Sequence, residues 1–258
     1  MLSEFNIPFL LDTARKAGEA IMQVYQSDIA VEIKDDKSPL TLADRAANAI
    51  IVEALKNKYP QIPIISEENK LTDYETRRHW SYCWVVDPLD GTKEFIKRNG
   101  EFTVNIALVH NGTPVLGVIY VPARNEMYYA RQAEGSFKTD ASGNTQRINA
   151  TPIDANQPVL VVASRSHLSQ ETQEYVDALR QKYATVDFVS SGSSLKFCLV
   201  AEGKAHLYPR FAPTMEWDTA AGQVIATEAG ATVEVYPDAI PLQYNRENLL
   251  NPFFLVRV

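Results

Sequence analysis

Two aspartates follow an apolar run in the first half of this chain. Residues 84–86, Trp-Val-Val, are typical of a buried strand, and Asp87 and Asp90 come directly after them. Pro88 and Gly91 predict that the strand ends here. Two carboxylates held together by a short loop repel each other and so favour a cation, and oxygen-only ligands favour a hard ion such as Mg²⁺. A solvated Asp-Gly turn is the alternative interpretation.

A second pair of acids follows the predicted strand 62–65. The strand is followed by Ser66, and Glu67 and Glu68 come next. Because neighbouring side chains of an extended backbone point to opposite faces, only one of these glutamates can share a centre with Asp87. A solvated acidic loop is the alternative.

Two further acids stand near the N-termini of predicted helices. Asp218 precedes the small residues Ala-Ala-Gly at 220–222, and Trp217 before it indicates close packing against another element. Asp44 lies in the first turn of a helix predicted for 41–58. Each acid also has an ordinary structural interpretation, an N-cap for Asp218 and an interaction with the helix dipole for Asp44.

The composition argues against some classes of function. The formal net charge is −7, which argues against a nucleic-acid polymer as partner, because phosphate backbones are bound by basic surfaces. The four histidines show neither i, i+4 nor His-Glu-x-x-His spacing, so a zinc site of the usual nitrogen type is not expected. A small anionic substrate is compatible with this charge if metal ions or a few Lys and Arg side chains surround it.

The cysteines and the hydropathy predict a reduced, cytoplasmic setting. Cys83 and Cys198 each lie inside an apolar stretch and form no Cys-x-x-Cys pair. Residues 1–9 lack the basic segment and the long apolar core of a secretory signal. No apolar run reaches the roughly 20 residues that a transmembrane helix needs. We therefore expect no transmembrane segment.

The N-terminal part is predicted to contain two helices and an antiparallel sheet. Apolar residues recur at helical spacing over 3–26 and again over 41–58. The period then changes to that of strands, and Asn111-Gly112 predicts a hairpin that makes its two strands antiparallel. The predicted strands are 62–65, 82–87, 103–110, 114–121 and 126–130.

The C-terminal part is predicted to alternate strands and helices after a polar, loop-like stretch at 140–157. We therefore predict an α+β part over 1–150 and a smaller α/β part over 151–258. The predicted strands are 158–163, 185–189, 205–209 and 231–235, and the predicted helices are 169–182, 194–202 and 217–229.

Three motifs resemble, in order and spacing, the signature of the inositol monophosphatase-like family of Mg²⁺-dependent, lithium-sensitive phosphatases. They are Glu67-Glu68, the segment 87–92 and the segment 217–222. The resemblance covers essentially the whole chain and implies a layered αβαβα sandwich. Segments 90–95, 164–167 and 192–198 are most similar to those of the bacterial 3′(2′),5′-bisphosphate nucleotidases. Those enzymes act on adenosine 3′,5′-bisphosphate, a by-product of sulfate activation.

This resemblance implies two or three bound Mg²⁺ ions and assigns ligands to two of them. Glu67, Asp87 and the Leu89 carbonyl would bind one ion. Asp87, Asp90 and Asp218 would bind another, so that Asp87 bridges the two. One ion would lower the pKa of a bound water while the other neutralises the leaving oxygen.

The resemblance also implies roles in catalysis for three side chains. Thr92 would orient the attacking water, and Asp44 would take a proton from it through the Thr92 hydroxyl. Glu67 belongs to this catalytic set as well as to the metal ligands.

Recognition of the substrate is predicted chiefly in the C-terminal half. Gly192 allows close approach of the backbone to a phosphate, and Ser193 precedes a predicted helix N-terminus, which favours anions. Lys196 and Arg210 are candidates to hold the phosphate that is not cleaved. A solvated lysine and a surface histidine are the alternative interpretations. The predicted substrate contacts are Glu67, Leu89, Asp90, Gly91, Thr92, Ser164, His167, Gly192, Ser193, Lys196, Arg210 and Asp218.

The expected activity is Mg²⁺-dependent, lithium-sensitive release of the 3′-phosphate from adenosine 3′,5′-bisphosphate. One alternative is a phosphatase of the same fold that acts on inositol phosphates or fructose 1,6-bisphosphate. An aspartyl-phosphate phosphatase fits less well, because its two aspartates lie two positions apart instead of three. A metal-dependent phosphate-binding protein without turnover is the non-enzymatic alternative. The resemblance leaves open a loose association with the cytoplasmic face of the inner membrane, and the sequence does not predict an oligomeric state.

Overall fold

A computed structural model describes residues 2–26, 31–33, 39–154, 156–163 and 169–258. The helices are α1 (Ile7–Tyr25), α2 (Leu42–Lys58), α3 (Tyr74–Arg77), α4 (Thr92–Ile96), α5 (Gln170–Lys182), α6 (Leu195–Ala201) and α7 (Ala220–Glu228), with short 3-10 helices at Leu2–Glu4, Pro122–Arg124 and Glu216–Asp218. The strands are β1 (Val31–Ile33), β2 (Pro39–Thr41), β3 (Ile64–Ser66), β4 (Tyr82–Asp90), β5 (Thr103–His110), β6 (Thr113–Val121), β7 (Glu126–Arg131), β8 (Gly135–Thr139), β9 (Thr145–Ile148), β10 (Val159–Ala163), β11 (Val186–Ser190), β12 (Leu207–Arg210), β13 (Thr232–Val235), β14 (Ile240–Pro241) and β15 (Phe254–Arg257).

The first two long helices cover one face of the first sheet. Helix α1 begins where the Asn6 side chain accepts a hydrogen bond from the Phe9 N–H at 2.9 Å, which satisfies one of the unpaired donors of the first turn. The buried residues of α1 recur at helical spacing and form one apolar face. This face packs, together with the buried face of α2, against Trp84 and Val86 of β4. This face forms one hydrophobic core.

The first sheet has seven strands in the order β3-β4-β5-β6-β7-β8-β9. Strand β3 is parallel to β4, and the other neighbours are antiparallel. The predicted hairpin is confirmed, because β5 and β6 pair through a turn in which Asn111 and Gly112 both have positive φ angles, 46° and 78°.

The second sheet has six strands in the order β11-β10-β12-β15-β13-β14. Strand β10 is parallel to β11 and β12, whereas β15 runs antiparallel to β12 and β13. Helix α5 packs on one face through Val176. Helices α6 and α7 lie between this sheet and the first one in a single core that contains residues from both. The layers are therefore helix, sheet, helix, sheet, helix, which confirms the predicted αβαβα arrangement.

Small residues allow α7 to approach the first sheet closely, as the Ala-Ala-Gly run predicts. A Cβ added to Gly117 of β6 would lie 2.5 Å from the carbonyl oxygen of Ala221. A Cβ added to Gly222 would lie 2.5 Å from the ring of Phe197 on α6. This tight packing fixes the 3-10 helix that precedes α7.

The strand predictions were incomplete. The stretch 140–157 is not all loop, because Thr145–Ile148 forms β9, and β8 before it was not predicted. Strand β9 is an edge strand in which only Ile148 is buried, so its sequence lacks the alternation that indicates a strand. The strand Phe254–Arg257 in the middle of the second sheet was also missed.

The two sheets divide the chain between Ile148 and Val159. Because α6 and α7 form one core with both sheets, the domain boundary near residue 150 stays a prediction. In the part of the chain that the structure describes, no helix is both long and apolar enough to cross a membrane.

Candidate active site

Strand β4 does not end at Pro88, as predicted, but continues to Asp90. Asp87 pairs with Asn105 of β5, whereas Asp90 pairs with Thr103, so three steps along β4 match two steps along β5. This extra residue is a β-bulge. In a regular strand, residues three apart point to opposite faces, and the bulge brings Asp87 and Asp90 to the same side. Pro88 is tolerated because its missing N–H falls where the ladder of hydrogen bonds is already interrupted.

The two aspartates of the bulge form a cluster with Asp218. One carboxylate oxygen from each of Asp87, Asp90 and Asp218 lies within 4.8 Å of the others. Asp218 is the last residue of the 3-10 helix, and its Oδ2 accepts a hydrogen bond from the Met215 N–H at 2.8 Å. The interpretation of Asp218 as the N-cap of the following helix is wrong, because that position belongs to Thr219. The Met215 contact holds the Asp218 carboxylate in place.

The charges of this cluster are mutually unfavourable. Burial raises the pKa of Asp87 well above its ordinary value, and the nearby charges of Glu67, Asp90, Asp218 and Asp44 raise it further. Burial, followed by the charge of Asp90, raises the pKa of Asp218 to about 7. A cation bound among these carboxylates would offset the repulsion, and a set of oxygen ligands alone fits a hard divalent ion.

Glu67 belongs to the same group of acids. Its backbone N–H donates to the carbonyl oxygen of Val86 at 3.3 Å, which extends the pairing of β3 with β4 beyond the end of β3. The Ser66 hydroxyl donates to Oδ1 of Asn48 on α2 at 2.8 Å. Since these contacts fix the loop, Glu67 is held where its charge acts on Asp87. The expectation that only one glutamate of the pair faces the centre stays a prediction.

The loop after the bulge is organised by its own backbone. The Leu89 N–H donates to Oδ1 of Asp87 at 3.0 Å, and the Thr92 hydroxyl donates to the Leu89 carbonyl at 3.4 Å. Gly91 has a φ of 90°, which other residues rarely adopt, and it allows the chain to turn from β4 into α4. Asp44, only 1% exposed in the first turn of α2, lies close enough for its charge to act on Asp87. The catalytic roles of Thr92 and Asp44 stay predictions.

A cavity of about 210 Å³ opens beside Asp90 and Asp218. It contains two of the predicted cations, Lys196 and Arg210. Its other lining residues are Gly91, Glu94, Gly192, Ser193, Ser194, Phe197, Tyr208, Thr214 and Thr219.

Lys196 is almost fully buried in the wall of this cavity. Its Nζ donates to the Ser193 carbonyl at 2.7 Å and lies 5.5 Å from the ring centroid of Tyr208. Burial is the largest influence on this ammonium group and lowers its pKa to about 8. Arg210 donates from Nη2 to the Pro213 carbonyl at 2.9 Å, and its buried Nε has no hydrogen-bond partner among the described residues. Both cations therefore have donor capacity left for an anion.

The segment before α6 is tied to the first half of the chain. The Gly192 N–H donates to Oε2 of Glu101 at 2.9 Å, and the Ser194 N–H donates to Oδ2 of Asp90 at 2.5 Å. The backbone at Gly192 and Ser193 was predicted as part of an anion site, but the N–H groups of Gly192 and Ser194 already donate to carboxylates. The side chains of the cavity are thus better placed to meet a phosphate. Ser164 and His167, the other predicted contacts, lie outside the described residues.

The sequence interpretation missed a buried polar network behind Asp90. The carbonyl oxygen of the Asn105 side chain accepts hydrogen bonds from the hydroxyls of Thr103 and Ser194 at 3.0 and 2.8 Å. The Asn105 amide nitrogen therefore faces Asp90, 3.5 Å from its Oδ2. The sequence signal that could have revealed this network was Asn105, an asparagine inside an otherwise apolar predicted strand.

Comparisons with known proteins agree with this geometry. The model of the inositol monophosphatase family matches residues 4–249. The chain is 52% identical over 248 residues to the 3′(2′),5′-bisphosphate nucleotidase CysQ of Escherichia coli, covering 95% of this chain and 96% of that protein. It is 52% identical over 247 residues to the protein of that name from Salmonella typhimurium, with the same coverage. The crystal structure of CysQ from Bacteroides thetaiotaomicron is 48% identical, with a TM-score of 0.87, covering 97% of this chain and 96% of that one.

Proposed function

This chain belongs to the inositol monophosphatase family, and from that premise we propose that it hydrolyses the 3′-phosphate of adenosine 3′,5′-bisphosphate to give AMP and phosphate. The observation that carries the proposal is a cavity that joins a cluster of carboxylates to two cations, Lys196 and Arg210. A bisphosphate needs two anion sites, and the cavity offers groups for both. The names of the relatives support this choice of substrate.

The carboxylate cluster is the proposed site for the scissile phosphate, with Mg²⁺ as cofactor in two or three copies. Asp87, Asp90 and Asp218 fit a hard cation because they offer only oxygen atoms. Burial, followed by repulsion from neighbouring acids, raises the pKa of Asp87 and Asp218, and a bound cation would offset both effects. Glu67 and the Leu89 carbonyl complete the proposed ligand set. When bound there, Mg²⁺ would supply an activated water and neutralise charge on the phosphate oxygens.

The protein groups near this cluster would orient and deprotonate the attacking water. The Thr92 hydroxyl donates to the Leu89 carbonyl, so its oxygen lone pairs are free to accept a hydrogen bond from the water. Asp44 is buried beside the cluster and is the proposed acceptor of the proton. For this the Thr92 hydroxyl would turn from the Leu89 carbonyl and donate its hydrogen to Asp44 while its oxygen accepts from the water.

The second phosphate is assigned to the two cations of the cavity. A guanidinium with unused donors, such as that of Arg210, can contact two phosphate oxygens at once. Lys196, whose Nζ donates to the Ser193 carbonyl, adds a point charge to the same cavity. Removal of the bisphosphate nucleotide left by sulfate activation is the proposed metabolic context, and lithium is the proposed inhibitor.

A panel of phosphate esters tests the proposal. Release of phosphate would be measured with adenosine 3′,5′-bisphosphate, 3′-AMP, 5′-AMP, inositol 1-phosphate and fructose 1,6-bisphosphate, with Mg²⁺ and with EDTA. We expect the highest kcat/KM for the bisphosphate nucleotide and loss of activity in EDTA. A rate on inositol 1-phosphate or fructose 1,6-bisphosphate equal to that on the nucleotide would overturn the assignment, and so would activity that survives EDTA.

A further inference from the structure

Glu94 is an acid in the cavity that the proposed chemistry does not use. It lies in α4, two residues after Thr92, and lines the cavity together with Lys196 and Arg210. Its carboxylate has no hydrogen-bond or ion-pair partner among the described residues. A carboxylate in a cavity that takes anions repels every phosphate that enters, so its presence needs a separate explanation.

Two glycines leave room for this side chain. A Cβ added to Gly192 would lie 2.7 Å from Cγ of Glu94, and one added to Gly91 would lie 3.3 Å from its Oε2. The side chain therefore lies between two backbone segments that carry no side chain of their own. A side chain at position 192 would displace Glu94 from this place in the cavity.

That place is close to the carboxylate cluster. Gly91 directly follows Asp90 in the chain, and Oε2 of Glu94 lies beside it. The charge of Glu94 also acts on the ammonium group of Lys196. Glu94 is thus near both the proposed site of the scissile phosphate and the cation that would meet the second phosphate.

We propose that Glu94 determines specificity by accepting a hydrogen bond from a free hydroxyl next to the scissile phosphate. In adenosine 3′,5′-bisphosphate this group is the 2′-hydroxyl, the hydroxyl donor closest to the 3′-phosphate. A charged acceptor at this position favours a hydroxyl and disfavours a second phosphate on the vicinal carbon, because two anions would meet there. This inference rests on the proposed function of the site.

A comparison of two substrates with three enzymes tests the inference. The kcat/KM of the wild type, Glu94→Gln and Glu94→Ala would be measured with adenosine 3′,5′-bisphosphate and with 2′-deoxyadenosine 3′,5′-bisphosphate. A hydrogen bond to a charged group corresponds to a preference of the wild type for the ribonucleotide of roughly 10- to 100-fold. We expect Glu94→Ala to lose this preference and to act on the deoxynucleotide nearly as fast as the wild type does. Glu94→Gln should keep part of the preference.

Equal losses on both substrates would overturn the inference, because they indicate a general role in packing or charge. Glu53→Ala, which removes an exposed glutamate of α2, is the matched control and should leave both rates unchanged. Should Glu94→Ala fail to fold, Glu94→Gln allows the same comparison.

Failure of the proposed function can be recognised separately. In that case the wild type hydrolyses neither nucleotide, and the comparison moves to inositol 1-phosphate, which has vicinal hydroxyls, and cyclohexyl phosphate, which has none. The preference for the hydroxylated ester should still depend on Glu94. If no variant changes it, or if the wild type shows no preference, the role of Glu94 is excluded.

Discussion

The carboxylate of Asp90 accepts a hydrogen bond from the backbone N–H of Ser194, 104 positions further along the chain. The contact joins an acid of the first sheet to the segment that carries Lys196. Asn105 reinforces it, because its side chain faces Asp90 with the amide nitrogen and accepts from the Ser194 hydroxyl with the carbonyl oxygen. The carboxylate cluster and the segment that carries Lys196 are therefore held by one network.

Asn105→Ala should weaken Mg²⁺ binding without unfolding the protein. The substitution removes the side-chain donor behind Asp90 and leaves the Thr103 and Ser194 hydroxyls without their shared acceptor. Partners of this kind typically contribute about 10- to 100-fold to metal affinity or activity. Calorimetric titration with Mg²⁺ would measure the loss. Asn144→Ala, in an exposed turn, is the control, and equal affinities of the two variants would contradict the prediction.

Asp87→Asn should abolish turnover and yet stabilise the metal-free protein at neutral pH. Asp87 is 1% exposed and faces four other acids, so the neutral amide removes an unfavourable charge. We expect a gain of about 1 kcal/mol in the free energy of unfolding, the equivalent of a shift of one pKa unit. Urea denaturation in EDTA would measure this gain in the free energy of unfolding. In a parallel experiment without EDTA, Mg²⁺ should stabilise the wild type but not Asp87→Asn.

The exposed Asp187→Asn is the control for that substitution, and it should respond to Mg²⁺ as the wild type does. An active Asp87→Asn enzyme would contradict the placement of Asp87 at the centre of the metal site. Lower stability of the metal-free variant would contradict the electrostatic argument.

Binding of Mg²⁺ should release protons below pH 7. The pKa of Asp218 is raised to about 7 in the metal-free folded protein, whereas an ordinary aspartate titrates near 3.8. The folded state therefore binds more protons than the unfolded state between these values, and the metal-free protein loses stability as the pH rises from about 4 to about 7. Mg²⁺ requires the ionised carboxylate, so its affinity should increase with pH up to about 7 and then level off.

Calorimetry at pH 6 in buffers with different enthalpies of ionisation would measure this proton release. Glu216 has a pKa raised to about 7 as well, chiefly by burial, but it accepts hydrogen bonds from the N–H groups of Asn245 and Arg246 and lies outside the carboxylate cluster. Proton release should therefore decrease in Asp218→Asn and not in Glu216→Gln. The same heat in all buffers would refute the prediction.

Lys196→Met should weaken binding of the second phosphate selectively. The ammonium group lies in the cavity wall, and a methionine of similar length keeps the packing while it removes the charge. We expect kcat/KM for adenosine 3′,5′-bisphosphate to fall by roughly 10- to 100-fold, the range for a hydrogen bond to a charged group, and that for 3′-AMP to change much less. Lys204→Met, at an exposed lysine, is the control.

The pH dependence of KM gives a second measure of the same charge. Because burial lowers the pKa of Lys196 to about 8, the group loses its charge as the pH rises above that value. The KM of the wild type for the bisphosphate should then rise above pH 8, and that of Lys196→Met should not. Parallel profiles for the two enzymes would argue against contact between Lys196 and the substrate.

Local sequence patterns predicted many residues of the candidate site and several elements of the fold. The acids Asp87 and Asp90 follow the apolar run of strand β4, and the ordered motifs around Glu67 and Asp218 resemble one family of phosphatases. Helix α2 and the hairpin at Asn111 were also predicted, since helical periodicity and Asn-Gly turns depend on near neighbours.

Long-range contacts decided the rest. The bulge that brings Asp87 and Asp90 to one side exists only in the pairing of β4 with β5. The register of that pairing could not be predicted from the sequence of either strand alone. The hydrogen bond from Ser194 to Asp90 and the position of Glu94 between two glycines depend on residues about 100 positions apart. The sequence thus determined which groups are available for chemistry, whereas tertiary packing determined which of them meet and which of them line the cavity.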